Sequence, residues 1–118
     1  MSRVLVGADD PWVVSEVHAA LSIDANELID HSDPSTAAIA AGDQSVDVAV
    51  VDLQVASVGG MAITRSIRDL EEPVPVVLLL DREADRFLAG RSGASAWVVK
   101  PFTSSALRSA VTDASGDA

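Results

Sequence analysis

Asp52 closes Val48 to Val51, four apolar residues in succession and three of them β-branched, inside the stretch VDVAVVDLQVASVGG that runs from 46 to 60. An unbroken apolar run of this kind reads as a strand buried on both faces of a parallel sheet. A carboxylate directly after it leaves the sheet at its carboxyl edge, where open α/β sheets place their ligand crevices. Asp9 and Asp10 follow a first apolar run in the same way, Asp81 a fourth, and Lys100, the only lysine of the chain, a fifth. Crowded carboxylates repel one another unless a cation relieves them. Hard oxygen ligands without thiolates suit Mg²⁺, which keeps several waters and takes one or two carboxylates with phosphate oxygens. A lone lysine at such a rim is a mobile point charge that can hold a phosphoryl oxygen or a carboxylate. Together these residues suit phosphoryl transfer onto a carboxylate, with Asp52 as nucleophile, a cation offsetting charge and Lys100 holding the incoming group. The duller reading of Asp52 is a capping residue at a strand or helix end.

These residues need a framework that gathers them. Arg3 to Gly7 predicts a first strand, and Asp10-Pro11 predicts the N-cap and first turn of a helix whose buried stripe is Val13, Val17 and Leu21. Asn26 to His31 is a weaker strand, apolar only at Leu28 and Ile29, as at a sheet edge. Ser32-Asp33-Pro34 signals a helix start, with a short alanine-rich helix over Ala37 to Ala41. After the Asp52 strand, Gln54 to Gly60 reads as a loop, and Met61, Ile63, Ile67 and Leu70 line a helix that Glu71-Glu72-Pro73 ends. Val74 to Leu80 is the most hydrophobic strand and is expected to be central. Asp81 to Gly90 predicts a loop and short helix with Asp81 as its N-cap, Gly93-Ala94 a turn, and Ala96 to Val99 the last strand. Thr103 or Ser104 then caps a closing helix carrying Leu107, Ala110 and Val111. Strands alternating with helices imply a parallel sheet covered on both faces, with right-handed crossovers that bring every strand's carboxyl end to one rim.

Composition narrows the alternatives. The 118 residues suit a single domain, and with 48% hydrophobic but only 3% aromatic residues the core must be aliphatic. A net charge of −10, with 18 acidic against 8 basic residues and no basic cluster, argues against direct nucleic-acid binding. No apolar run approaches the roughly 20 residues of a membrane helix, and MSRVLVGADD enters a strand pattern at once, so a cytoplasmic protein without a membrane segment is expected. The absence of cysteine removes disulfides, thiolate metal sites and thiol nucleophiles.

Over essentially its whole length the chain resembles the receiver domain of bacterial response regulators, of the chemotaxis-regulator kind. Four features carry the resemblance: Asp9-Asp10 after the first strand, VVDLQVASVGG with Asp52 eight residues before Gly60, GASAWVVKPF from Gly93 to Phe102, and Pro75 opening strand four. The resemblance implies a flavodoxin-like five-stranded parallel sheet of order 2-1-3-4-5 and a single receiver domain over 1–118. It implies phosphorylation of Asp52 by a sensor histidine kinase or phosphotransfer protein, with Lys100 as phosphate partner. It further implies Mg²⁺ held by Asp9, Asp10, Asp52 and the backbone carbonyl of Gln54, and a cis Lys100-Pro101 bond. Signalling would pass through protein contacts around strand four, the helix after it, strand five and the last helix. The recipient would be a separate target, a second copy in a homodimer, or an output domain if the sequence is part of a longer chain. Catalysis would extend no further than the domain's own phosphorylation and dephosphorylation.

Several positions depart from the family pattern. Counting back from Pro11 aligns Asp9 with the second family acid and Ala8 with the first, whereas a one-residue shift keeps both acids. Strand four, which should end in Thr or Ser, ends in Leu80 followed by Asp81; leucine has no donor, and an aspartate repels phosphate. A hydrogen bond to a charged group is worth roughly 1.5–3 kcal/mol, against about 5.5 kcal/mol to swing a population from 1:99 to 99:1. Trp97 stands where an aromatic usually changes rotamer together with the missing hydroxyl. These departures favour an alternative, a pseudo-receiver that binds partners without a phosphorylation switch. An aspartyl phosphatase ranks below both, because such enzymes place a second Asp two residues after the first and here that residue is Gln54. Plainer roles are open too: Asp10 as a helix cap, His18 and His31 as solvated or hydrogen-bonded histidines, and Trp12 and Trp97 as packing residues.

Overall fold

A computed structural model of the chain describes residues 3–22, 26–31, 46–54, 59–70 and 74–115. Five parallel strands, β1 (Arg3–Gly7), β2 (Glu27–His31), β3 (Val48–Asp52), β4 (Val76–Leu80) and β5 (Ala96–Val99), form one sheet of order β2-β1-β3-β4-β5. This is the expected order, with β2 at an edge. β4 lies inside the sheet, but the middle place belongs to β3, the strand that carries Asp52. Around the sheet stand α1 (Pro11–Leu21), α2 (Gly59–Arg68), α3 (Arg86–Ser92) and α4 (Ser104–Ser115). The helix expected over Ala37 to Ala41, its start signal and the Glu71-Glu72-Pro73 terminator lie outside the described residues.

The period-two alternation of strands builds two aliphatic cores from one sheet. Leu5, Ala49, Val51, Leu78 and Leu80 face one side, where Ile63 and Ile67 of α2 and Ala89 of α3 cover them. Val4, Val6, Val48, Val50, Val77 and Leu79 face the other, against Val13 and Val17 of α1 and Leu107 and Val111 of α4. Every residue of β3 and β4 is buried, as unbroken apolar runs require in a sheet covered on both faces.

Local chemistry sets the ends. Asp10 adopts an extended backbone, and its Oδ1 accepts the Trp12 N–H at 2.9 Å, with Pro11 at the first helical position. Thr103 rather than Ser104 caps α4, its Oγ1 accepting the Ala106 N–H at 3.0 Å. Two expected boundaries move. α2 starts at Gly59, so the glycine pair forms its first turn instead of closing the loop before it. β4 starts at Val76, and Pro75, which has no N–H, joins the ladder through its carbonyl by accepting from Ala49. Gly93 ends α3 in the left-handed region at φ 89°. If Asp10 acts as a cap, Asp10→Ala lowers the unfolding free energy in urea by about 1 kcal/mol and Asp10→Ser restores most of it; equal losses in the two variants would contradict that role.

Candidate functional site

The same alternation that sorts the core also composes the rim. Val48 and Val50 put Asp52 on the α1/α4 side of the sheet, Val4 and Val6 do the same for Ala8, and Ala96 and Val98 for Lys100. β4 lies between β3 and β5, so Lys100 must reach across two strand spacings, roughly 9.5 Å between backbones, which its long stem allows. Nζ of Lys100 donates to Oδ1 of Asp52 at 2.8 Å. The same oxygen accepts the backbone N–H of Gln54 at 3.1 Å, which fixes the carboxylate against the turn that follows β3. The Asp52 side chain is only 3% exposed and that of Lys100 21%.

Lys100 also donates to Oδ1 of Asp81 at 2.8 Å. The expectation that Asp81 caps the next helix is therefore corrected. Residues Glu83–Asp85 form a 3₁₀ turn with Arg82 at its N-cap position, α3 follows with Asp85 at its own, and neither makes a side-chain cap bond. Asp81 continues the parity of Val77 and Leu79 one residue past β4, and that alternation directs it to the same face as Asp52 and Lys100. Burial works against the Lys100 ammonium, but hydrogen bonds to Asp52 and Asp81, with their charges, outweigh it and hold its pKa above the ordinary lysine range.

The other singled-out residues fall into four places. Leu80 is fully buried in the α2/α3 core, and Trp97, half-buried, packs on that same core. Neither offers a hydrogen-bond donor to the Asp52 side of the sheet from within that packing. Ala8 is buried directly after β1, whereas Asp9 and Asp10 are exposed and Asp10 is engaged with α1. β1 and β3 are paired up to Gly7 and Val51, so Ala8 and Asp52 emerge side by side. Among the described residues no three Asp, Glu or His side chains converge as a ready metal cage. His18 is hydrogen-bonded to Asp30, 2.8 Å from Nε2 to Oδ1, and the pair lines a shallow pocket with Ala8 and Asp9. Trp12 is not a packing residue: it is 75% exposed and, with Val13, Glu16, Lys100, Pro101 and Phe102, lines a cavity of about 400 Å³ beside the Lys100 stem. The Lys100-Pro101 bond is cis.

A doubly wound parallel sheet with a buried carboxylate paired to a lysine at its carboxyl rim is the frame of a signalling receiver domain. The response regulator receiver domain family matches residues 4–112, and the chain belongs to that family. It is 31% identical over 102 residues to the probable transcriptional regulatory protein TcrX of Mycobacterium tuberculosis, covering 85% of this chain and 44% of that protein. It is 29% identical over 104 residues to the heme response regulator HssR of Staphylococcus aureus, covering 86% and 46%. The chain thus spans less than half the length of these relatives. Its fold is that of the receiver domain of the sensor histidine kinase PA1611 from Pseudomonas aeruginosa, crystallised with magnesium in its active-site cleft, at a TM-score of 0.88, 23% identity and 98% coverage of both chains. A receiver domain of a Bacteroides fragilis response regulator aligns with a TM-score of 0.84 at 26% identity, again covering 98% of both. Nothing in these comparisons supports the pseudo-receiver alternative. Among the described residues no helix is long and apolar enough to cross a membrane.

The sequence has no tyrosine and no cysteine, so Lys100 is the only side chain whose ordinary pKa lies between about 8.5 and 12. Its folded pKa is raised, so its stabilisation is complete below the unfolded lysine value and is lost as pH rises through the folded one. Unfolding free energy in urea should therefore hold steady to about pH 10 and fall above about pH 10.4, whereas Lys100→Met shows no such fall. Parallel curves for the two proteins would contradict the pairing.

Proposed function

We propose that Asp52 is the phosphoryl acceptor of this receiver domain and that Lys100 steadies the group on it. The observation that carries this reading is the 2.8 Å contact between Lys100 Nζ and Asp52 Oδ1, formed by residues 48 apart in sequence. The donor is a phosphohistidine on a sensor histidine kinase or phosphotransfer protein. An oxygen of Asp52 attacks phosphorus and the P–N bond to the imidazole breaks; the ring nitrogen keeps the electron pair, and with the other ring nitrogen protonated the imidazole leaves neutral. Lys100 then moves from a carboxylate oxygen to a phosphoryl oxygen and keeps its charge compensated throughout.

The residues at the rim fit a magnesium ion of reduced protein ligation. Asp9, Asp52 and the Gln54 carbonyl are hard oxygens, Ala8 supplies none, and the Oδ1 of Asp10 is committed to capping, which leaves water to complete the shell. When bound, the ion would neutralise charge on the phosphoryl oxygens. The groove formed by Trp12, Pro101 and Phe102 next to Lys100 is apolar and open, and suits docking of the donor protein. Output passes by protein contact, to a target, a second copy or a further domain, and a cytoplasmic location belongs to the same reading. Because Leu80 brings no hydroxyl, the conformational response to phosphorylation is small.

Incubation with Mg²⁺ and acetyl phosphate should add one phosphoryl group by intact mass, and Asp52→Asn should add none; modification of both proteins, or of neither, would overturn the acceptor assignment. In a Trp97→Phe background, Mg²⁺ should change the fluorescence of exposed Trp12, whose backbone N–H binds Asp10 in the acidic loop. The change should be lost in Asp9→Asn, and an unchanged spectrum at millimolar Mg²⁺ would contradict the metal reading.

A further inference from the structure

We propose that Asp81 competes with the phosphoryl group for Lys100, an inference that rests on Asp52 as acceptor. The unmodified chain already holds a second anion on the lysine: Asp81 Oδ1 lies 2.8 Å from Nζ, the same distance as Asp52 Oδ1. An ammonium has three N–H donors, and two are committed to these carboxylates. The two partners differ in how readily they can leave. Asp52 is 3% exposed and anchored by the Gln54 N–H, whereas the Asp81 side chain is 41% exposed and can turn into water.

Asp81 is nonetheless not a loosely tethered surface residue. The turn directly after it is fixed by Arg82, whose Nη2 donates to Asp85 Oδ1 at 3.0 Å and whose carbonyl accepts the Asp85 N–H, with the Asp85 side chain only 6% exposed. The chain thus presents a carboxylate at the lysine and keeps it there by a neighbouring ion pair. When an Asp52 oxygen bonds to phosphorus and acetate leaves acetyl phosphate with the electron pair, the new phosphoryl oxygens bring negative charge to the same N–H donors. Asp81 makes and breaks no covalent bond; it must give up its hydrogen bond. The cost falls on the phosphorylated state, which forms more slowly and hydrolyses sooner than the same domain without this carboxylate.

Two measurements decide it. In the first, the initial rate of phosphorylation by acetyl phosphate is compared for the protein, Asp81→Asn and Glu83→Gln, the last removing a charge from the same loop that is paired with Arg86 and not with Lys100. Asp81→Asn should be faster by about tenfold or more and Glu83→Gln unchanged; equal rates, or equal gains in both variants, would overturn the competition. In the second, inorganic phosphate is titrated into Asp52→Asn, with and without Asp81→Asn, while the ¹⁵Nζ signal of the single lysine is followed. The double variant should bind phosphate about tenfold more tightly or better, and equal affinities would overturn the proposal. This arm needs no covalent transfer, so it decides the competition even if Asp52 accepts no phosphoryl group, an outcome that would sink the acceptor assignment alone.

Discussion

One ammonium shared between two carboxylates across the end of β4 is the constraint around which this rim is built. Lys100 leaves β5, Asp52 leaves β3, and the strand between them contributes Asp81 to the same side. A carboxylate as buried as Asp52 is costly unless a cation and hydrogen bonds compensate it. The sheet supplies both, the cation from a strand two places away and an N–H from the turn immediately following. The order of the strands matters here more than any single side chain. With β3 in the middle of the sheet, its carboxyl end is flanked by loops from β1 and β4, and Asp52 at its own end and Asp81 after β4 meet the one lysine.

The departures from the family pattern share a physical theme. Leu80 and Trp97 are committed to the aliphatic core under α2 and α3, so the face of the sheet away from Asp52 is simply packed. Ala8 extends the opposite core toward the rim, beside the exposed Asp9 and Asp10. Hydrophobic burial has therefore advanced to the edge of the site on both faces. The polar groups left at the rim are Asp52, Lys100 and the exposed acids, and the proposed phosphate chemistry falls to them, with Asp81 as the lysine's second partner.

Much of this was legible in the chain alone. Unbroken runs such as VAVV and VVLLL announce strands buried on both faces, the Val13-Val17-Leu21 rhythm announces α1, and their alternation fixes a parallel sheet with its chemistry at one rim. Being the only lysine made Lys100 conspicuous, and GASAWVVKPF placed it. Asp81 was harder to read because aspartate before a short helix is ordinarily a cap. The signal lay in parity: position 81 has the register of Val77 and Leu79, which points it to the face of Asp52. Trp12 misled for a different reason, since an indole near a helix start is ordinarily core, yet α1 already fills its buried stripe with Val13 and Val17 and leaves position 12 outside. The start of α2 was misplaced because glycine is a poor helix former whose cost, about 1 kcal/mol, is met here by packing of Ile63 and Ile67.

The account depends on where one amine spends its hydrogen bonds, and a chain with a single lysine allows that to be observed without ambiguity. In protein labelled at lysine nitrogen and aspartate carbon, the Lys100 ammonium should show couplings through hydrogen bonds to two carboxyl carbons, those of Asp52 and Asp81, each lost when that aspartate is replaced by asparagine. An ammonium that exchanges freely with water and couples to neither carboxylate would contradict the structure of the rim and the phosphoryl chemistry derived from it.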